Sequence, residues 1–458
     1  MDNPSPMGAF RQFISAVEQD GELLRISRSV APRYELGALL KQAEARRKAV
    51  LFESVSQSPF QVVGGLLTST SRFGLALNNP DAAQLTQAEH VIQVRNAIKS
   101  PLPFESVTTG PCKHTVLQGA DIACDRLPVP TFFAGDSGPF LTAAVGISRN
   151  PANGVINAGF YRVLVLGPDS LAISVSPSSD LLHFIHQDAE QGVSTHVALV
   201  VGAEPALLMA AAAKVPATIS ELDVAGALQG TPLLTVQAEC SDLPVPASAE
   251  FVIEVEIDHS ATIDNTMGEF GDTYGSQIAQ VGKVQAITHR EEAIFHVIMA
   301  GAGKEHNTIG MIILYEVETD LATQLRTTYP DVQNVRIVFD PPSLGAQGDA
   351  YIRMPGGRNY NATTLIEHIF SLNCGQFPLT RIIRRVILVD DDIAIDSRRE
   401  LSWAMAVRAT ESTDYLFFDN LDNSGGMLRL GIDARAHADS QTERLIIPDA
   451  GHMHLDDN

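Results

Sequence analysis

The chain of 458 residues is poor in basic side chains, with 32 lysines and arginines against 54 aspartates and glutamates, a formal net charge of −22. Proteins that bind nucleic acid usually present a basic surface, and the longest basic run in this sequence is Arg46–Lys48. An anionic membrane surface would repel the chain for the same reason. We therefore expect neither nucleic acid nor a membrane among its partners.

The sequence also lacks an uninterrupted apolar run of membrane-spanning length. Its most apolar stretch, residues 197–215, contains Glu204, Pro205 and Lys214, which a membrane helix would rarely tolerate. The first residues show no basic segment followed by an apolar one, so no secretion signal is predicted. None of the four cysteines has C-x-x-C spacing, which argues against a zinc ribbon or a disulfide framework. We expect a cytoplasmic protein with reduced thiols.

Three common nucleotide and hydrolase motifs are missing: a Walker-type phosphate loop, G-x-G-x-x-G after a strand, and G-x-S-x-G. Nucleotide hydrolases, Rossmann dehydrogenases and α/β-hydrolases are therefore disfavoured. The 45% of hydrophobic residues is enough to build large cores, and the length suggests roughly two to three domains.

The hydrophobic pattern changes along the chain. Residues 7–19 carry apolar side chains at helical spacing, and a strand at 22–26 and a helix at 33–49 follow. This alternation predicts an α/β portion over residues 1–120. Short alternating strands with turn residues predict a β-rich portion over 121–305, and a new alternation of strands and helices predicts a second domain over 306–458, with a linker and a tail.

Two strands of the β-rich portion carry polar residues of interest. In residues 251–257 the apolar side chains share one face, so Glu254 and Glu256 are predicted on a wet or functional face. In residues 155–166, Asn157 and Arg162 would face opposite sides unless a bulge at Gly159 brings both to one pocket. The alternative is an ordinary strand with a surface arginine.

Carboxylates follow in two further places. Residues 264–272 are predicted to form a glycine-containing loop that brings Asp264 and Glu269 together as a coupled acid–base pair, or else a solvated acidic loop. Glu221 stands between an apolar helix and a glycine turn, where a carboxylate is either a cap or a ligand. With Asn157 it would form an oxygen-rich set suited to Mg²⁺ or Mn²⁺.

Taken together, these segments resemble the UbiD family of decarboxylases, which use prenylated flavin mononucleotide. The resemblance spans nearly the whole chain and rests on the order and spacing of short pieces. These pieces are Phe10–Phe13, Gly21–Leu23, Leu127–Pro130, Gly135–Pro139, Asn157–Arg162, Gly202–Pro205, Ser220–Glu221, Ala225–Gly226, Val245–Ala247, Glu250, Asp264–Glu269, Val389–Ile393 and Trp403–Ala404.

The resemblance implies a catalytic set of Arg162, Asp264 and Glu269. In the implied chemistry the substrate forms a covalent adduct with the modified flavin, which acts as the electron sink while CO₂ leaves. Glu269 would then protonate the carbon, Arg162 would orient the substrate carboxylate, and Asp264 would hold Arg162. Asn265–Met267 depart from the usual family loop, so the substrate pocket is expected to differ there.

The resemblance also implies a cofactor site with prenylated FMN and a divalent cation, Mn²⁺ or Mg²⁺, with K⁺ as a further candidate. Asn157 and Glu221 match two of the family's metal ligands. The third is usually a histidine, and here Ser179 or Asp180 stands in its place; we assign Ser179. The residues expected to contact the cofactor are Asn157, Ala158, Tyr161, Arg162, Ala213, Lys214, Val215, Pro216 and Glu221.

The expected fold is therefore α+β: an α/β N-terminal layer, a split β-barrel flavin-binding domain and a C-terminal α/β oligomerisation domain. The expected activity is reversible decarboxylation of an aromatic, heteroaromatic or α,β-unsaturated carboxylic acid, with an aromatic or heteroaromatic ring favoured. The expected partners are the acid, CO₂, a flavin prenyltransferase that supplies the cofactor, and further copies of the chain as a homodimer or higher oligomer. A silent flavin-binding or assembly subunit and a metal-dependent hydrolase are the alternatives.

Overall fold

The computed structural model describes residues 8–77, 87–177, 179–269, 273–301, 304–338, 348–374, 377–381, 383–419 and 428–437. Ser178, the end of the predicted loop at 270–272 and the C-terminal tail lie outside these ranges. The chain divides into two compact units, Met1–Glu316 and Val317–Asn458. Among the described residues, no helix is both long and apolar enough to span a membrane.

The first unit mixes helices with many strands. Its helices are α1 (Gly8–Gln19), α2 (Glu35–Ala45), α3 (Thr70–Ala76), α4 (Gln87–Lys99), α5 (Asp180–Gln191), α6 (Pro205–Ala212) and α7 (Glu221–Gln229), followed by α8 (Lys304–Thr328), which contains the point of division. Its strands are β1 (Leu23–Ile26), β2 (Ala49–Phe52), β3 (Gln61–Gly64), β4 (Glu105–Ser106), β5 (Thr115–Gln118), β6 (Phe140–Arg149), β7 (Ile156–Val165), β8 (Ser170–Ser174), β9 (His196–Val201), β10 (Leu234–Gln237), β11 (Pro244–Pro246), β12 (Phe251–Glu269), β13 (Thr273–His289) and β14 (Ile294–Val297).

A closed antiparallel barrel dominates the first unit. Its strand order is β12-β9-β6-β7-β8-β13, and β13 pairs with β12 to close the ring, while β5 adds to the outer edge of β13. The remaining strands form a four-stranded sheet in the order β1-β2-β3-β14 and a three-stranded sheet in the order β11-β10-β4. Closure removes the exposed edges that an open sheet would leave. The predicted α+β fold with a β-barrel is confirmed.

The local sequence explains several elements. Phe10, Phe13 and Val17 are buried along one stripe of α1, and Gly21, with a φ of +67°, takes the left-handed conformation that ends a helix. The predicted helix at 33–49 is shorter, because α2 ends at Ala45 and Ala49 already begins β2. Helix periodicity cannot separate the end of a helix from the start of a short buried strand.

Two predictions about β12 are wrong. Residues 264–269 form no loop, because the strand continues to Glu269 and pairs with β13 from Thr262↔Gln280 to Glu269↔Thr273. Glu254 is not wet either: its side chain is buried, and its carboxylate accepts the backbone N–H groups of Glu239 and Cys240 at 2.5 and 2.8 Å, while Glu256 on the same face is half-buried. A carboxylate that accepts two N–H bonds can be buried at acceptable cost.

The second unit has its own sheet and core. Its helices are α9 (Ala362–Ser371) and α10 (Arg398–Arg408), and its strands are β15 (Asn334–Val338), β16 (Gly348–Met354), β17 (Asn373–Cys374), β18 (Phe377–Pro378), β19 (Ile383–Asp390), β20 (Tyr415–Phe418) and β21 (Arg429–Ala434). A five-stranded mixed sheet runs in the order β15-β16-β19-β21-β20. At the end of β19, Arg408 binds Asp390 at 3.0 Å and Asp392 at 2.6 Å, so these acids form an ion-pair network.

Candidate active site

The strand β7 carries four of the predicted site residues. Its pairing with β6 is regular from Ala144↔Tyr161 to Arg149↔Ile156, so the predicted bulge at Gly159 is wrong. The irregularity lies on β6, between Leu141 and Ala144, opposite Arg162. Because side chains alternate along a regular strand, Asn157 and Arg162 lie on opposite faces of β7. The two residues therefore belong to different parts of the site.

Arg162 forms an ion pair with Glu269, the last described residue of β12. Both side chains are largely buried, and burial lowers the pKa of Arg162 to about 10. The guanidinium keeps its charge at neutral pH and presents several donors to a carboxylate. The structure thus joins an arginine from β7 to a glutamate at the end of the β12–β13 hairpin.

Asp264 does not join this pair. Its side chain is exposed, and the unshifted pairing between Thr262 and Glu269 places it on the opposite face of β12 from Glu269. Asn265, by contrast, is buried on the same face as Glu269, and its amide donates to Ser174 Oγ at 2.9 Å. The strand geometry separates the two carboxylates that a loop would have brought together.

His306, in the first turn of α8, is a neighbour of Arg162 that the sequence did not indicate. Burial and the nearby Arg162 charge lower the pKa of His306 to about 3, so the ring is neutral at physiological pH. Its Nδ1 accepts the N–H of Gly301 at 3.1 Å, which assigns the ring proton to Nε2. Gly301 lies so close to Glu269 that a Cβ on it would come within 2.8 Å of the Glu269 carbonyl oxygen. The local sign in the sequence is the glycine-rich segment 300–303, which lies just before the boundary predicted between residues 305 and 306.

Glu221 forms a second centre with Asn157 and Ala158. It is the first residue of α7 and is buried; its Oε2 accepts the Ala158 N–H at 2.8 Å, and its Oε1 accepts the Asn157 amide at 3.4 Å. Burial raises the pKa of Glu221 to about 8, with a further increase from Asp180 and a decrease from Lys214. A buried carboxylate beside a side-chain amide fits a hard divalent cation, which would neutralise the charge that burial disfavours and would take the Asn157 oxygen once that amide is turned over.

Ser179 and Asp180 differ in what they contact. The Ser179 hydroxyl donates to the Ser176 carbonyl at 2.9 Å and accepts the Leu182 N–H at 3.3 Å, so it caps α5. Asp180 is close enough to raise the pKa of both Glu221 and the buried Tyr161. Within the described ranges, no three His, Cys, Asp or Glu side chains form a metal-binding cluster. The groups described near Glu221 are the Asp180 carboxylate and the Asn157 side-chain amide.

The segment that follows α6 borders the same centre. Ala213 ends the helix in an extended conformation, and Lys214 and Pro216 are exposed while Val215 is half-buried. The Lys214 ammonium lies near enough to Glu221 to lower its pKa. An exposed lysine beside a buried oxygen-rich centre suits a phosphate held by a cation.

Three family models match the chain. They are described as the N-terminal, Rift-related and C-terminal domains of 3-octaprenyl-4-hydroxybenzoate carboxy-lyase, named UbiD_N, UbiD and UbiD_C, and they match residues 14–91, 105–303 and 311–434.

Solved structures are similar over nearly the whole length. The UbiD-class enzyme HmfF from Pelotomaculum thermopropionicum is 31% identical, both in an evolved dimeric form with prFMN (TM-score 0.80, 97% of this chain and 98% of that chain) and in complex with FMN (TM-score 0.81, 97% and 99%). Vanillic acid decarboxylase from Sedimentibacter hydroxybenzoicus in its open form shares the fold at 24% identity, with a TM-score of 0.78 over 96% of this chain and 95% of that chain.

Proposed function

This chain belongs to the UbiD family of carboxy-lyases, and from that premise we propose that it decarboxylates an aromatic, heteroaromatic or α,β-unsaturated carboxylic acid with prenylated FMN as its cofactor. The observation that carries the proposal is the ion pair between Arg162, on a barrel strand, and Glu269, in a chain whose fold is similar to that of a prFMN-binding enzyme. An aromatic or heteroaromatic acid is the favoured substrate.

Bound prenylated FMN would supply the electron sink for the loss of CO₂ through a covalent bond to the substrate. Arg162 would bind the substrate carboxylate, because its fork of donors matches two carboxylate oxygens. This contact would draw Arg162 away from Glu269 and leave the glutamate free to hold a proton. After the carbon–carboxylate bond breaks, Glu269 would give that proton to the carbon and regain one from solvent, so the acid is converted into CO₂ and the protonated product.

His306 would be a neutral neighbour of Arg162 at the substrate site. Its Nε2–H is a hydrogen-bond donor that adds no second positive charge beside Arg162. Asp264 stays in the proposal as the residue that the resemblance assigns to hold Arg162. Because it is exposed, it would reach Arg162 only through a rearrangement of the β12–β13 hairpin.

The second centre would hold the flavin phosphate through a cation, Mn²⁺ or Mg²⁺. Asn157 and Glu221 would supply two ligands. For the third we place Asp180 ahead of Ser179, because Asp180 is near enough to raise the pKa of Glu221, while the Ser179 hydroxyl caps α5. Ala158, Tyr161 and residues 213–216 would line the cofactor beside this cation. A flavin prenyltransferase would supply the cofactor.

The first experiment is to purify the chain after co-expression with a flavin prenyltransferase and to measure its absorbance, cofactor mass and CO₂ release from a panel of aromatic and heteroaromatic acids. We expect the prenylated mass and turnover of at least one acid. An absence of flavin, while a control enzyme is loaded in the same cells, would overturn the proposal.

Glu269→Gln tests the proton donor. The amide cannot deliver a proton, so we expect bound flavin to be unchanged and kcat to fall about 100-fold or more. Glu190→Gln, an exposed glutamate on α5, is the matched control and should keep full activity. Wild-type turnover by the Glu269 variant would remove it from this role.

A further inference from the structure

A turn of the chain, residues 133–137, lies against the end of β12 just before Glu269. Gly135–Pro139 is one of the segments that resemble the family, and the proposed reaction gives this turn no role. Its Asp136 carboxylate accepts three backbone N–H groups. Oδ1 accepts from Gly268 at 3.0 Å, and Oδ2 accepts from Phe132 and Phe133 at 3.2 and 2.9 Å.

Ser137 binds β12 at Thr266, two residues before Gly268. Its N–H donates to the Thr266 carbonyl and its Oγ accepts the Thr266 N–H, both at 2.8 Å. On the partner strand, the hydroxyl of Tyr274 accepts the Gly135 N–H at 2.9 Å. One short turn therefore binds both strands of the β12–β13 hairpin, close to Glu269 at the end of β12.

These bonds occupy an edge of β12 that, among the described strands, is left uncovered beyond Glu256. The pairing of β12 with β9 ends at Glu256, while β13 covers the other edge up to Glu269. An uncovered strand edge leaves N–H and C=O groups without partners and lets the strand end move. The turn supplies the missing partners at Thr266 and Gly268.

The packing is too close for side chains at two positions. A Cβ on Gly268 would come within 2.4 Å of the Phe133 ring, and a Cβ on Gly135 within 2.5 Å of the Tyr274 ring. Both glycines therefore permit the turn and the hairpin to approach. Hydrogen bonds and close packing at these two glycines therefore both hold the turn against the hairpin.

We infer that Asp136 and Ser137 are positioning residues that hold the Glu269 end of β12 in place, so that its carboxyl group can deliver a proton to the substrate. Gly268, which Asp136 binds, is the residue directly before Glu269, so freedom at Gly268 displaces the Glu269 carboxylate. A displacement of about 1 Å at a reacting group can cost about 100-fold in rate. This inference rests on the proposed role of Glu269.

The test is Asp136→Asn in the flavin-loaded enzyme. The asparagine oxygen can still accept the N–H groups of Phe132 and Phe133. Its NH₂ group then faces the Gly268 N–H, so only the hydrogen bond to β12 is lost. We expect kcat to fall at least about tenfold, with KM and flavin content little changed, and the solvent deuterium isotope effect on kcat to rise because proton transfer becomes slower. Asp258→Asn is the control: Asp258 accepts the Ser260 N–H at 2.9 Å on the same strand, far from Glu269.

Ser137 provides a second variant in case Asp136→Asn folds poorly. Ser137→Ala should lower kcat in the same direction and increase hydrogen exchange at the Thr266 amide, while Ser137→Thr, which keeps the hydroxyl, should restore both. Wild-type kcat and isotope effect in Asp136→Asn or Ser137→Ala, with Glu269→Gln inactive, would overturn the positioning role alone. An active Glu269→Gln would overturn the proposed proton donor and the positioning role with it.

Discussion

Burial decides the chemistry of the individual side chains around β7. It lowers the pKa of Arg162 and His306 and raises that of Glu221, because a buried site disfavours the charged form of each group. His306 therefore stays neutral beside a charged arginine. Glu221 is in turn a carboxylate whose charge a bound cation would stabilise.

At the residue scale, Ser179 and Asp180 give opposite predictions. Ser179→Ala removes the acceptor of the Leu182 N–H, so it should lower the free energy of unfolding by about 1 kcal/mol and leave the bound metal unchanged. Asp180→Asn should weaken Mn²⁺ binding by about tenfold or more, since even indirect partners of metal ligands have effects of that size. Metal content of the flavin-loaded protein and its thermal unfolding measure both effects. Loss of metal in the Ser179 variant alone would restore Ser179 as the ligand.

At the scale of elements, helix N-termini and strand ends place the site residues. Glu221 begins α7, Asp180 begins α5, His306 lies in the first turn of α8, and Glu269 ends the described part of β12. A residue at the end of an element is held by the cap or turn beside it, and a change in that cap moves the functional group.

Two serine caps test this dependence. Ser220 accepts the Leu222 N–H at 3.2 Å at the start of α7, and Ser397 accepts the Glu400 N–H at 3.4 Å at the start of α10. Each change to alanine should cost about 1 kcal/mol of stability. Only Ser220→Ala should also reduce flavin content, because Glu221 is the next residue. Equal flavin content in the two variants would show that the α7 cap does not set the cofactor site.

At the scale of the whole molecule, each unit contains a glutamate with a raised pKa, buried in the first unit and half-buried in the second. Burial raises the pKa of Glu44 in the first unit and of Glu318 in the second to about 7. Their backbone partners are the N–H groups of Lys304 at 3.2 Å and of Ile337 at 2.7 Å. The free energy of unfolding of each unit should therefore depend on pH.

Proton linkage gives the direction in which the free energy of unfolding changes with pH. Between pH 4.5 and 7 the native protein keeps the Glu44 proton that the unfolded chain releases, so the free energy of unfolding falls as the pH rises and levels off above 7. Glu44→Gln keeps an oxygen acceptor and removes the titration. We expect the variant to gain up to about 3 kcal/mol relative to the wild type at pH 8, and little near pH 4. Chemical unfolding at both pH values checks this, with Glu190→Gln as the control; an equal difference at both would contradict it.

Much of the architecture follows from local patterns. The apolar stripe of α1, the strand at β7 and the apolar face at the start of β12 depend on residues close in sequence, whose spacing matches the period of a helix or a strand. The order of short segments along the chain also identified the family. These features were predictable because neighbouring residues carry the information.

The site itself needed the tertiary structure. The continuation of β12 to Glu269 and the exposure of Asp264 follow from pairing with β13, and the contacts of His306 and Asp180 follow from how helices pack on the barrel. Asp136 and Gly268 meet although they are 132 residues apart. Local sequence patterns therefore predict many of the elements and the family that they build, but not the continuation of β12. Register, burial and long-range contact decided which side chains meet, because these depend on residues that are distant along the chain.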